Sequence, residues 1–93
     1  MLPLSDDPSC QPVRFDVLVD SEPGLLSRTF APFARRDLVP SQFCARRDGA
    51  LLLIEIGTEA MPPEMLHVVE GNLRQIVGVH RVTVTLCSAQ QAA

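Results

Sequence analysis

The chain has 93 residues, 46% of them apolar, with four Phe, no Trp and no Tyr. That is enough for one small domain with an aliphatic core, burying roughly 60% of its unfolded surface, so that cover from a second copy adds useful stability. A formal charge of −3 and a pI near 5.2 remove the electrostatic reason to expect nucleic acid or an anionic membrane as partner.

No apolar run approaches membrane-spanning length. The opening "MLPLSDDPSCQP" is acidic and broken by proline, unlike a signal or transit peptide, and residues 1–12 are expected to form a loose tail. Cys10, Cys44 and Cys87 are odd in number, widely spaced and free of any CxxC, which fits free thiols in a cytoplasmic setting and neither a disulfide framework nor a zinc site.

"VRFDVLV" alternates, with Val13, Phe15, Val17 and Val19 on one side and Arg14 and Asp16 on the other, and predicts a half-buried strand. "DSEPG" then ends the strand, and from Leu25 the period changes. Leu26, Phe30, Phe33 and Ala34 recur at three- and four-residue intervals, predicting the buried stripe of a helix that ends near Arg36. Pro32 removes one ladder bond inside that helix, so a kink or an irregular turn is expected there.

"LVPSQFCAR" and "ALLLIEIG" read as two strands joined through Asp48-Gly49, a hairpin signal. Pro40 cannot donate to a ladder and marks the first of them as an edge strand. The unbroken apolar run Leu51 to Ile54 is that of a central strand covered on both sides. Pro62 and Pro63 open a second helix whose stripe is Leu66, Val69, Leu73 and Ile76 or Val77, with Gly78 as its stop. Gly71 inside it weakens the helix, which a close backbone approach would explain. "HRVTVTL" is a last strand with Val82, Val84 and Leu86 inward, and residues 87–93 form a second tail.

Strand, helix, strand, strand, helix, strand is the ferredoxin-like α+β arrangement βαββαβ, a four-stranded antiparallel sheet with two helices on one face. Right-handed crossovers place the first and third strands in the middle. Residues 13–86 form this one domain.

An RNA-recognition role fails on residue type, because "GALLLIEI" carries no aromatic for base stacking and the first strand only Phe15. Ser21, Ser27 and Ser41 read as polar or capping residues, and His67 and His80 as structural or solvated ones. Glu55, Glu64 and Glu70 read as solvent-facing carboxylates, so spacing forces no nucleophile and base together and no enzyme is expected.

The stretch "VDSEPGLLSRTFAPFARRDLVPSQF", followed by "LLLIEI" and "NLRQIVGVHRVTV", resembles the ACT domain, most of all in the small regulatory subunit of acetolactate synthase. The resemblance covers roughly residues 13 to 86. It implies a non-catalytic regulatory module of branched-chain amino-acid biosynthesis that carries no cofactor and pairs with another ACT domain, with an acetolactate synthase large subunit as possible partner. The alternative is a free-standing ACT dimer that senses an amino acid or another small metabolite. The resemblance also implies an effector site at the first turn, where Gly24 and Leu25 present N–H groups to a carboxylate and Asp20 or Ser21 faces an ammonium group, beside Val39. Two amide side chains usual in the family stand here as Ser21 and Val39, so branched-chain amino acids are expected to bind weakly, and a purely architectural turn is the other reading.

Overall fold

In a computed structural model, the structure describes residues 11–86. The elements are β1 (Gln11–Asp20), α1 (Pro23–Ala34), β2 (Gln42–Asp48), β3 (Leu51–Met61), α2 (Pro63–Arg74) and β4 (Val79–Leu86). The strands form one antiparallel sheet in the order β2-β3-β1-β4. The expected βαββαβ topology, with β1 and β3 central, is therefore the one found. The tails expected at 1–12 and 87–93 lie outside the described residues, except that Gln11 and Pro12 belong to β1. Cys10 and Cys87 also lie outside, and Cys44 is a free, exposed thiol.

Alternation decides the core side of the central strands. Val13, Phe15, Val17 and Val19 of β1 and Ile54 and Ile56 of β3 are all buried, and the helices close over them with Leu25, Phe33, Val69 and Leu73. Phe15 and Phe33 meet edge to face at 5.3 Å, joining the sheet to α1. The expected two-sided cover of β3 is not formed within one chain, since Leu51, Leu52 and Leu53 are only half-buried.

In α1 the buried set is Leu25, Thr29, Pro32 and Phe33, one residue out of phase with the expected stripe. Phe30 is 40% exposed and Ala34 is exposed, because the helix turns Leu25 and Thr29 to the core and leaves the Leu26–Phe30 side beyond the sheet's covered half. The Thr29 hydroxyl donates to the Leu26 carbonyl at 3.0 Å, which satisfies it without a polar partner in the core. α1 is continuous through Pro32 in place of the irregular turn expected. The missing N–H removes the ladder bond to the Arg28 carbonyl, and the helix nonetheless runs on to Ala34.

The end of α1 is closed by backbone. Asp37 adopts φ 57°, and the N–H groups of Asp37 and Leu38 donate to Ala34 and Phe33 carbonyls at 3.1 and 2.9 Å. This is a Schellman cap with Asp37 in the position that usually takes glycine. α2 begins with Pro62 and Pro63 as expected and ends at Arg74, a turn earlier than the stop assigned to Gly78. Val77 is 85% exposed, whereas Ile76 packs against the core. Open space surrounds the position of a Cβ at Gly71, so no backbone approach accounts for that glycine.

β2 is exposed along its whole length and pairs only with β3, which makes it the edge strand expected; Pro40 precedes it. Its hairpin to β3 is a two-residue turn with Gly49 at φ 65°.

Candidate functional site

The first turn stands where three strand ends meet. The Asp20 N–H donates to the Gly78 carbonyl at 2.9 Å, and the Ser21 N–H to the Ala50 carbonyl at 3.1 Å. These bonds tie the end of β1 to the start of β4 and to the β2–β3 hairpin. Glu22 is the extended N-cap of α1 without a side-chain cap bond, and Pro23 takes the first helical position.

Most donors of this turn are already used. The Glu22 N–H goes to Asp20 O at 2.8 Å and the Leu25 N–H to Glu22 O at 3.1 Å, while Pro23 has none. The Gly24 N–H makes no such bond, and open space surrounds the position its Cβ would take. Leu25 therefore contributes a buried side chain to the core and no free donor, contrary to its expected role, because its N–H closes the first turn of the helix.

Asp20 is not free either. His80 Nε2 lies 2.6 Å from Asp20 Oδ1, bridging the ends of β1 and β4. His80 occupies the irregularity between the pairs Leu18↔Arg81 and Val19↔Val79, and this bulge turns it toward the turn. Sequence spacing between positions 20 and 80 carried no signal for this contact.

Beside the turn lies a hollow of about 320 Å³, lined by Ser21, Glu22, Pro23, Leu26, Arg47 and Leu52. Its walls are mostly apolar, and Arg47 is a cation in it opposite the N-terminal end of α1. The Arg47 Nε donates to the Gly49 carbonyl at 3.4 Å, which steadies its stem. Arg46 and Arg47 are adjacent in the sequence, which by itself marks neither for a site. The alternation of β2 was the available signal, since it sends Arg46 and Arg47 to opposite faces. One guanidinium and two leucines suit a small carboxylate with an apolar body.

Val39 is not part of this hollow. It is 86% exposed and borders a second hollow of about 300 Å³ with Asp37, Leu38, Ser41, Thr58, Glu59 and Ala60. The two hollows lie at opposite ends of α1, whose 12 residues span about 18 Å. The strands agree, because Asp20 pairs with Leu51 whereas Thr58 pairs with Val13. One chain thus brings Asp20, Ser21, Gly24 and Leu25 together and holds Val39 away from them. No group of three or more His, Cys, Asp or Glu with metal-holding geometry occurs among the described residues, and His67 is exposed. No helix of the described residues is long and apolar enough to cross a membrane.

Comparison with known proteins agrees with the geometry at the level of the fold. The C-terminal domain of the MgtC protein from Mycobacterium tuberculosis is similar, with a TM-score of 0.70 at 16% identity over 95% of this chain and 99% of that one. The ACT domain from GTP pyrophosphokinase of Chlorobium tepidum gives 0.70 at 10% identity over 82% and 99%. The uncharacterized protein TM1266 from Thermotoga maritima gives 0.69 at 12% identity over 85% and 99%. No curated protein matches the sequence. The profile of the ACT-like domain matches residues 6–91, nearly the whole chain, and the chain accordingly belongs to the ACT-like domain family.

Proposed function

We propose that this chain is a non-catalytic sensor, a dimer of ACT-like domains that binds a small carboxylate metabolite between the first turn of one copy and the Val39 segment of the other. The observation that carries this reading is the Arg47 hollow, which sets a cation between the N-terminal turn of α1 and an unpaired sheet edge, with Gly24 next in the chain to its lining residue Pro23. β2 is that edge. Pairing it antiparallel with its own copy sets residues near the start of one β2 beside the end of the other, so the segment at 38–41 comes alongside the 48–50 turn. Ser21 is bonded to Ala50 in that turn, so Val39 of the partner subunit arrives at the hollow that one chain leaves incomplete. Phe30 and Phe43, stacked edge to face at 5.8 Å and 40% and 39% exposed, supply apolar surface along the same border.

Calorimetry with valine, leucine and isoleucine tests the site. The reading expects weak heats that Arg47→Ala and Gly24→Val each remove while circular dichroism stays unchanged. Heats that survive both substitutions would move the ligand elsewhere, and no heat from any amino acid would leave the turn as architecture. The narrower reading, regulation of acetolactate synthase, is supported by the "PGLLSR" stretch alone. It expects the chain to raise acetolactate formation when added to the large subunit of the same cell, with no turnover by the chain itself.

A further inference from the structure

The sheet has two outer edges, β2 and β4, and among the described residues each of these strands pairs with one neighbour only. Alternation decides which backbone groups face outward. The Asp20 N–H donates toward β4, to Gly78, and the Ser21 N–H toward β3, to Ala50, so even-numbered residues of β1 bond toward β4 and odd-numbered ones toward β3. Arg81, Thr83 and Thr85, opposite Leu18, Asp16 and Arg14, therefore turn their polar backbone groups inward. Val82 and Val84 turn theirs outward. The same count carried through β3 sends the backbone groups of Phe43, Ala45 and Arg47 outward from β2.

The two edges are protected differently. Residues 82–86 read Val-Thr-Val-Thr-Leu, uncharged and β-branched but for the last, a composition that readily takes on another strand. At the middle of this edge stands Arg74, from the last turn of α2. Its Nη2 donates to the Val82 carbonyl at 3.1 Å and to Glu70 Oε2 at 2.7 Å, and its Nε reaches the same carboxylate oxygen at 3.3 Å. Glu70 lies one helical turn earlier and holds the guanidinium through this charge-assisted pair. The carbonyl that an added strand would bond is thus already taken, and a side chain stands in its path. On β2, by contrast, no hydrogen bond from the described residues occupies the outward groups of Phe43, Ala45 or Arg47.

We propose that Arg74, held by Glu70, is an edge guard that closes β4 against strand addition and leaves β2 as the edge open to a second copy. The guard keeps the assembly finite. Pairing through one edge closes a two-fold dimer, whereas two open edges let every copy take a neighbour on both sides, and growth does not end. With the guard removed, the β4 edge pairs antiparallel with the same edge of another copy, Val82 and Val84 exchanging bonds with their counterparts. The closed dimer rests on the β2 pairing proposed above, but the guarding of β4 does not.

Arg74→Ala tests this by native mass spectrometry and amide hydrogen exchange. The Arg74 side chain is half exposed, so its loss leaves the core intact, and circular dichroism checks the fold. At equal micromolar concentration the variant is expected to form particles of at least twice the wild-type mass. Its Val82 and Val84 amides are expected to exchange at least about tenfold more slowly than in the wild type, because they enter a ladder. Slow exchange at Phe43, Ala45 and Arg47 in the wild type reports β2 pairing separately. Where those three exchange fast, the wild type is a monomer, and Arg74→Ala is then expected to convert it to a dimer. An unchanged particle mass for the folded variant, or growth with Val82 and Val84 still exchanging at the wild-type rate, would overturn the inference.

Discussion

A Cβ placed on Gly78 would stand 2.9 Å from Cδ1 of Leu25 and 3.2 Å from its Cδ2. Leu25 is 1% exposed, locked into the core at the start of α1, so it has little room to yield. Gly78 also has φ 101°, a conformation costly for any residue with a side chain. The two effects act together in Gly78→Ala, which is expected to cost about 2–4 kcal/mol of stability from strain and overpacking. Urea unfolding checks this, and a midpoint equal to wild type would show that the turn relaxes freely.

Gly71→Ala works in the opposite direction. The glycine lies inside α2 with a negative φ, and nothing stands within 4 Å of the position of its Cβ. Alanine narrows the unfolded ensemble and improves helix propensity, a gain of about 0.5–1 kcal/mol. The expected result is a higher thermal midpoint with an unchanged particle size.

The two phenylalanines of α1 separate folding from association. Phe33 is fully buried against Phe15, and Phe33→Ala is expected to cost about 3–5 kcal/mol, most of the stability of a domain this small. Phe30 lies half out of the fold beside Phe43, so Phe30→Ala costs about 1 kcal/mol in the single chain. Sedimentation of Phe30→Ala is expected to show weakened edge pairing with the circular dichroism spectrum retained. A wild-type association constant would remove the Phe30–Phe43 border from the interface.

His80 and Asp20 form an exposed pair, with side chains 50% and 45% accessible, so His80→Ala is expected to change stability by less than about 1 kcal/mol. Its effect lies at the turn. Removing the imidazole frees the Asp20 carboxylate for an ammonium group, and valine is expected to bind more tightly to His80→Ala than to wild type by calorimetry. Equal or weaker binding would mean that Asp20 takes no part in holding the ligand.

Much of the architecture was legible along the chain because the signals are local. Strict alternation from Val13 to Val19 set the buried face of β1, and the proline before β2 together with the apolar run of β3 separated edge from centre. Proline at the starts of both helices and Asp48-Gly49 at the hairpin marked boundaries through backbone chemistry that needs no tertiary partner.

The candidate site was legible only in part. The break between β1 and α1 at Asp20 to Leu25 was legible as a turn, but the Leu25 N–H closes the helix and its side chain packs in the core, and local spacing linked neither Arg47 nor His80 to it. Both come from other strands, brought in by register and by the bulge at position 80, which local periodicity does not encode.

The sequence by itself determined the order of elements, the antiparallel βαββαβ plan and which strands lie inside, because periods of two and of about 3.6 residues are properties of short segments. Only the tertiary structure decided which of two adjacent apolar stripes of α1 is buried. Leu25–Thr29 and Leu26–Phe30 differ by one residue, about 100° around the helix, and both carry apolar groups. The sheet resolves that choice by covering the first and leaving the second at its edge. The tertiary structure likewise set Val39 a helix length from Asp20 within one chain, since the distance between two loops follows from the elements that join them.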